Sequence, residues 1–167
     1  ERVQVQVRGG MRILAPYPPF VDANYRGMDP GSPVVSRISQ IAFPFVSPVS
    51  LTDKAREGGR QVFELIKTSD KAWIPASPAE LAPDKIAKPR DEDLGQMLIA
   101  AAISGKFESA WKGKPEPEGA APPDAGKTRL PRKDEGETRI LVVGDADFVF
   151  QEFMSPGGRQ LLLNALD

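Results

Sequence analysis

The sequence predicts an α/β chain in which strands outweigh helices: a mixed sheet, a short helix near Val34 and a C-terminal helix from about Pro156. Three observations carry this. Val3, Val5 and Val7 alternate with Arg2, Gln4 and Gln6, the period of a half-buried strand. Near the other end, "RILVVGDADF" (139–148) is an aliphatic run that breaks into a polar turn, with a leucine-rich segment beyond it. Strand, turn, helix is half of an α/β unit. Between these ends Pro44 and Pro48 interrupt an apolar segment and deny it a helical ladder.

Taken in order, the first valine strand meets Gly9-Gly10, a turn signal, and Met11 to Ala15 supplies a hairpin partner. "PYPPF" (16–20) cannot donate a regular ladder and is expected as extended edge or loop, and Asp22 to Gly31 as loop. Ser32-Pro33 before Val34, Val35 and Ile38 has the form of a helix start, with serine as cap and proline at the first position. Gln40 to Leu51, with its two prolines, suits an irregular edge strand. Gly58-Gly59 punctuates a turn, and "RQVFELIKTS" (60–69) is expected as a strand. Residues 75–89 form a proline-rich surface connection. Asp91 to Lys106 is ambiguous: its alanines favour a helix, yet Met97 to Ile103 is an apolar run of buried-strand length. Residues 113–136 carry proline, glycine and charge with almost no large apolar side chain, so they are expected as a flexible loop. Arg139 to Val143 is a strand, and Ser155-Pro156 opens a helix whose buried side is expected from Leu161, Leu162, Leu163, Ala165 and Leu166.

At 167 residues the chain suits one domain, taken as 1–167. Lys and Arg number 22 against 23 Asp and Glu, so the balance gives no push toward nucleic acid. There is no cysteine, which removes disulfides, thiolate nucleophiles and cysteine-type zinc sites, and no histidine, which removes Ser-His and Cys-His schemes. No run is long enough to span a bilayer. The chain opens on Glu1 and closes on Asp167 inside an apparently helical run, so a piece of a longer protein is expected.

Asp145 and Asp147 are the first site candidates. Two carboxylates beyond a strand's carboxyl end stand where open α/β sheets place ligands, and they supply part of a shell for a divalent ion. The commoner outcome is a strand-to-helix turn in which Gly144 permits the bend and an aspartate caps exposed amides. Arg139 or Arg159 would then form no more than a surface salt bridge, on the order of 1 kcal/mol or less. Tyr17, Phe20, Phe43, Phe45, Trp73 and Trp111 would line a groove for sugar or peptide, or else pack in core and edge; Trp111, just before the loop, is the one expected to be exposed. "VRGGMR", "REGGRQ" and "SPGGRQ" lack a phosphate-cradle pattern.

The ordered series "YPPF", "SPVVSRISQIAFPFVSPVSL", "LIKTSDKAW", "LIAAAISGKFESAWKGKP", "TRILVVGDADF" and "GGRQLLLNALD" resembles the extracytoplasmic part of auxiliary proteins of uncharacterised ABC-type transport systems, a group that includes the gliding-motility Gld-type component. The resemblance runs from about Pro16 to Asp167. It implies the C-terminal portion of a flavodoxin-like or GIFT-type α/β domain, and it tips Met97 onward toward a strand. It also implies a non-enzymatic domain without a cofactor, on the periplasmic or extracellular side of the cytoplasmic membrane. That domain would be anchored by segments absent from this chain. Its partners would be the permease and ATPase subunits of the system and an envelope protein or polysaccharide, with no nucleic acid. Asp145, Asp147 and Trp111 are the expected binding residues. The alternative is a small-ligand or divalent-metal domain, or a hydrolase, working through Asp145 and Asp147.

Overall fold

A computed structural model describes residues 2–6, 12–75, 86, 89–115 and 133–166, with backbone alone for 2–6 and 12–16. Strands β1 (Arg2–Gln6) and β2 (Arg12–Pro16) pair antiparallel, from Arg2 opposite Pro16 to Gln6 opposite Arg12. The expected hairpin partner is therefore present; its Gly9-Gly10 turn lies outside the described residues. Strands β3 (Phe20–Asn24) and β4 (Gln40–Pro44) form a second antiparallel pair, with Val21 opposite Phe43 and Ala23 opposite Ile41. Strands β5 (Gln61–Lys67), β6 (Leu98–Glu108) and β7 (Glu135–Val143) make a three-stranded sheet in that order. Helix α1 (Pro156–Leu166) follows, opened by Ser155, whose Oγ accepts from the Gly158 amide at 3.1 Å. The strand-dominated α/β class holds, with the strands shared among small sheets.

Two elements differ from expectation. Asp22 to Gly31 is not all loop: Asp22, Ala23 and Asn24 belong to β3. Polar Asp22 and Asn24 mask a strand whose alternate residues, Val21 and Ala23, face Phe43 and Ile41 of β4. Pairing overrides the local polarity. The short helix near Val34 is a single 3-10 turn, Pro33–Val35, and the buried Ser32 makes no side-chain cap bond to it. The apolar run after Met97 is strand β6, with Ile99, Ala100 and Ala101 buried, despite its alanines. Of the loop expected over 113–136, residues 116–132 lie outside the described residues, and Glu135 and Gly136 already belong to β7. Of the connection at 75–89, only Pro75, Ile86 and Pro89 are described.

The chain groups into two compact units, one of Glu1–Leu51, Phe63–Ala102 and Leu141–Asp167, the other of Thr52–Val62 and Ile103–Ile140. The core of the first unit centres on Ile41, Phe43, Leu65, Ile66, Ile99 and Leu161, all fully buried. Burying each such side chain favours folding by roughly 1.5–3 kcal/mol. Segments far apart in sequence close this core. Phe43 packs on Phe148 with ring centroids 5.5 Å apart. The Gly144 carbonyl accepts from the Ser47 amide at 2.8 Å, and the Gly144 amide donates to the Ile99 carbonyl at 2.9 Å. A side chain at position 144 would run into the Ser47 carbonyl oxygen, so only glycine permits that approach. Gly157 has the same relation to the Gln40 carbonyl and lets α1 lie against β4. Asn164 of α1 then donates from Nδ2 to the Val34 and Ser36 carbonyls, each at 3.0 Å.

Two variants test this closure by urea denaturation. Gly144→Ala should cost about 3 kcal/mol, because backbone rather than a flexible side chain must move. Asn164→Ala should cost about 1–3 kcal/mol, since two carbonyls lose their donor. Midpoints within error of the parent for both would show that these contacts do not hold the unit.

Candidate functional site

The two aspartates singled out from sequence lie where β7 ends. Asp145 Oδ1 accepts from the Asp147 amide at 2.6 Å and from the Phe148 amide at 3.4 Å. It thereby caps the 3-10 turn Asp147–Val149, which carries buried Phe148 into the core. Asp145 Oδ2 is buried with no hydrogen-bond partner. Burial is the main influence on this carboxyl and pushes it up from its ordinary 3.8; the two amide bonds pull it down, and the Asp147 charge adds a further upward push. Neither aspartate pairs with Arg159. Among the described residues no group of three or more acidic side chains converges as a metal shell would require. In this geometry Asp145 accepts amide protons and fixes the turn, and Asp147 supplies one of the donating amides.

Trp111 lies in the second unit. It is 46% exposed on a turn after β6, where its amide donates to Ser109 Oγ at 3.2 Å and its carbonyl accepts from the Lys114 amide at 3.0 Å. Among the other aromatic candidates, Phe43 belongs to the core. Tyr17, Phe20 and Phe45 form an edge-to-face cluster, with Phe20 and Phe45 5.2 Å apart, and Phe153 joins it 6.2 Å from Phe20.

Phe45 and Trp73 share a larger feature of the first unit, an open cleft of about 970 Å³. It is lined by residues of β3 and those after β4, by the chain from Lys67 to Pro75, and by Gln96, Met97 and Ile99. Thr68 joins the last two of these segments. Its amide donates to the Met97 carbonyl at 2.8 Å, its hydroxyl accepts from the Met97 amide at 2.8 Å, and its carbonyl accepts from Gln96 Nε2 at 3.0 Å. A buried threonine is thus fully satisfied and locks the start of β6 to the end of β5. Asn24 is fixed too, since its Oδ1 accepts from the Arg26 amide at 3.0 Å and caps the 3-10 turn Tyr25–Gly27.

The cleft carries charges of both signs, Asp22 and Asp70 against Arg26, Lys67 and Lys71, and Lys67 is paired with Glu64 at 2.7 Å. With this mixture the cleft has no preference for a ligand of one sign. Its rim holds Phe45, 45% exposed, and Ile74, 62% exposed. Phe45 adopts φ 56°, the left-handed region that a non-glycine residue enters at a cost of roughly 1–3 kcal/mol. Sequence reasoning picked out Phe45 and Trp73 but missed Asn24 and Gln96. The cleft draws on segments about eighty residues apart, from Pro18 to Ile99, and no local motif spans it. The one available signal was Asn24 before a turn-forming Tyr-Arg-Gly.

A family model described as "ABC-type uncharacterized transport system" matches residues 2–165. No curated protein and no solved structure matches the chain significantly.

Asp145 offers a pH test. Its folded-state carboxyl titrates above its unfolded value, so the folded state holds the proton more tightly than the unfolded one. The resulting stability is full below the unfolded value of about 4 and is lost as pH rises through the raised folded value. Asp145→Asn keeps the accepting oxygen and removes the titration. It should flatten stability against pH above about 4 and be at least as stable as the parent at neutral pH. Asp145→Ala loses both amide bonds and should cost about 1 kcal/mol. Thermal melts between pH 3 and pH 8 decide it; an Asn variant as destabilised as the Ala variant at every pH rejects the capping role.

Proposed function

Since the chain belongs to the ABC-type uncharacterized transport system auxiliary family, we propose that it is a non-enzymatic, extracytoplasmic domain of a membrane-anchored auxiliary protein. It binds a partner protein or an envelope polymer and works beside the permease and ATPase subunits of its system. The observation that carries the reading is the open cleft of the first unit, which offers aromatic and proline surfaces beside the fixed amides of Asn24 and Gln96. The absence of histidine and cysteine from the chain supports it, because the usual hydrolytic dyads have no base or thiolate here. The half-exposed Trp111 of the second unit is a further contact point for a partner. Among the described residues no helix is long and apolar enough to cross a membrane, and the anchor in this reading lies elsewhere in the full-length protein.

Two measurements test it. Tagged full-length protein, purified from detergent-solubilised membranes of its own host, should carry the permease and ATPase subunits with it. An alkaline phosphatase fusion at the end of this domain should be active, as it is only outside the cytoplasm. Recovery of neither subunit would remove the transport role, and an inactive but expressed fusion would place the domain on the other side of the membrane.

A further inference from the structure

Phe45 is the least explained residue of the first unit. It sits in a left-handed backbone conformation that disfavours any side chain with a Cβ, and its ring is 45% exposed. A residue that is both strained and exposed is not there for packing alone. Its ring is braced on the far side by Phe20 and Tyr17 at near-perpendicular angles of 87° and 84°, so its orientation is fixed. Trp73 presents a second aromatic surface to the same cleft.

The polar groups there are prepared in a matching way. Asn24 is held through Oδ1, which leaves Nδ2 to donate. Gln96 is held through Nε2, which leaves Oε1 to accept. Asp70 adds an exposed carboxylate acceptor. Flat apolar rings beside anchored donors and acceptors, with charges of both signs, fit a ligand that is neutral and alternates C–H faces with hydroxyls. Each hydroxyl both donates and accepts, which suits the amide donor and the acceptors together. A strongly anionic or cationic ligand would meet like charge on one side of the cleft.

We infer that the cleft binds a neutral oligosaccharide segment, stacked on Phe45 and Trp73 and hydrogen-bonded by Asn24, Gln96 and Asp70. This rests on the reading of the chain as a non-enzymatic binding domain, and it selects a glycan among the polymers and proteins that reading allows. The volume of about 970 Å³ lies at the upper end of ordinary ligand sites, as a short oligomer rather than a single sugar requires.

Calorimetric titration of the 167-residue chain tests it, with maltohexaose, cellohexaose and chitohexaose as probes and a proline decamer as the competing peptide. At least one hexasaccharide should bind. Trp73→Ala should weaken that binding by about tenfold or more with the fold retained by circular dichroism. Phe45→Gly should weaken it similarly while keeping or raising the melting temperature, because glycine relieves the left-handed strain; a ring with only a packing role would instead lower it. Failure of all three sugars to bind at about 10 mM, binding of the proline decamer alone, or sugar binding indifferent to Trp73→Ala would each overturn the inference. Recovery of the bound sugar intact supports the non-enzymatic reading as well. Cleavage of the sugar would keep the glycan site and reject the non-enzymatic reading, whereas absence of sugar binding rejects the site and leaves that reading standing.

Discussion

The first unit closes at one point, where the Ser47 carbonyl rests against the Cα of Gly144. The contact joins the chain leaving β4 to the chain leaving β7, and the Gly144 amide extends it to Ile99 at the start of β6. Three segments spread over nearly a hundred residues of sequence, from Ser47 to Gly144, thereby share one backbone junction. Everything near it depends on that spacing. Phe148 reaches Phe43 because the turn after Gly144 begins there, and the cleft keeps its shape because Val46, Ser47 and Pro48 are held along one side of it. A backbone junction of this kind tolerates little adjustment, since no flexible side chain lies between the two strands to absorb a shift.

This junction explains why the short apolar segments that order the sequence mean more together than singly. "FPFVS" supplies Phe43 and Ser47, "VVGDADF" supplies Gly144, Asp145 and Phe148, "SPVVS" supplies the carbonyls that Asn164 of "LLLNAL" holds, and "KTS" supplies Thr68. Each segment is a half-contact. The second unit uses a different device. There Arg60 donates to the Lys106 and Lys54 carbonyls at 3.0 and 2.7 Å and lies over the Phe107 ring at 4.5 Å, so one guanidinium ties β6 to the segment around Lys54.

Strands with a period or a strong aliphatic run were legible in the sequence: β1, β5, β7 and the start of α1 all announce themselves. β3 was not, because two of its five residues are polar and its partner lies sixteen or more residues away. The turn at Pro33–Val35 was overestimated as a helix, because Ser-Pro satisfies the rule for a helix start without securing a second turn. At the candidate site, a turn after Gly144 capped by an aspartate was legible in the sequence; that Asp145 is the cap, and that burial pushes its carboxyl up, was not, since both depend on contacts the local sequence does not contain. The cleft was half legible: aromatic side chains advertise themselves, but an asparagine and a glutamine tied by one atom each look like any surface amide.

The two tryptophans of the chain fall one to each unit, Trp73 in the first and Trp111 in the second. Trp73 is partly buried at the cleft, and Trp111 stands half in solvent. Each unit therefore carries its own intrinsic fluorophore in a distinct surrounding. Replacing one indole by phenylalanine leaves emission that reports on the other unit alone. The cooperativity of the chain, whether the two units melt as one or in succession, is thus readable from its native amino acids without an added dye.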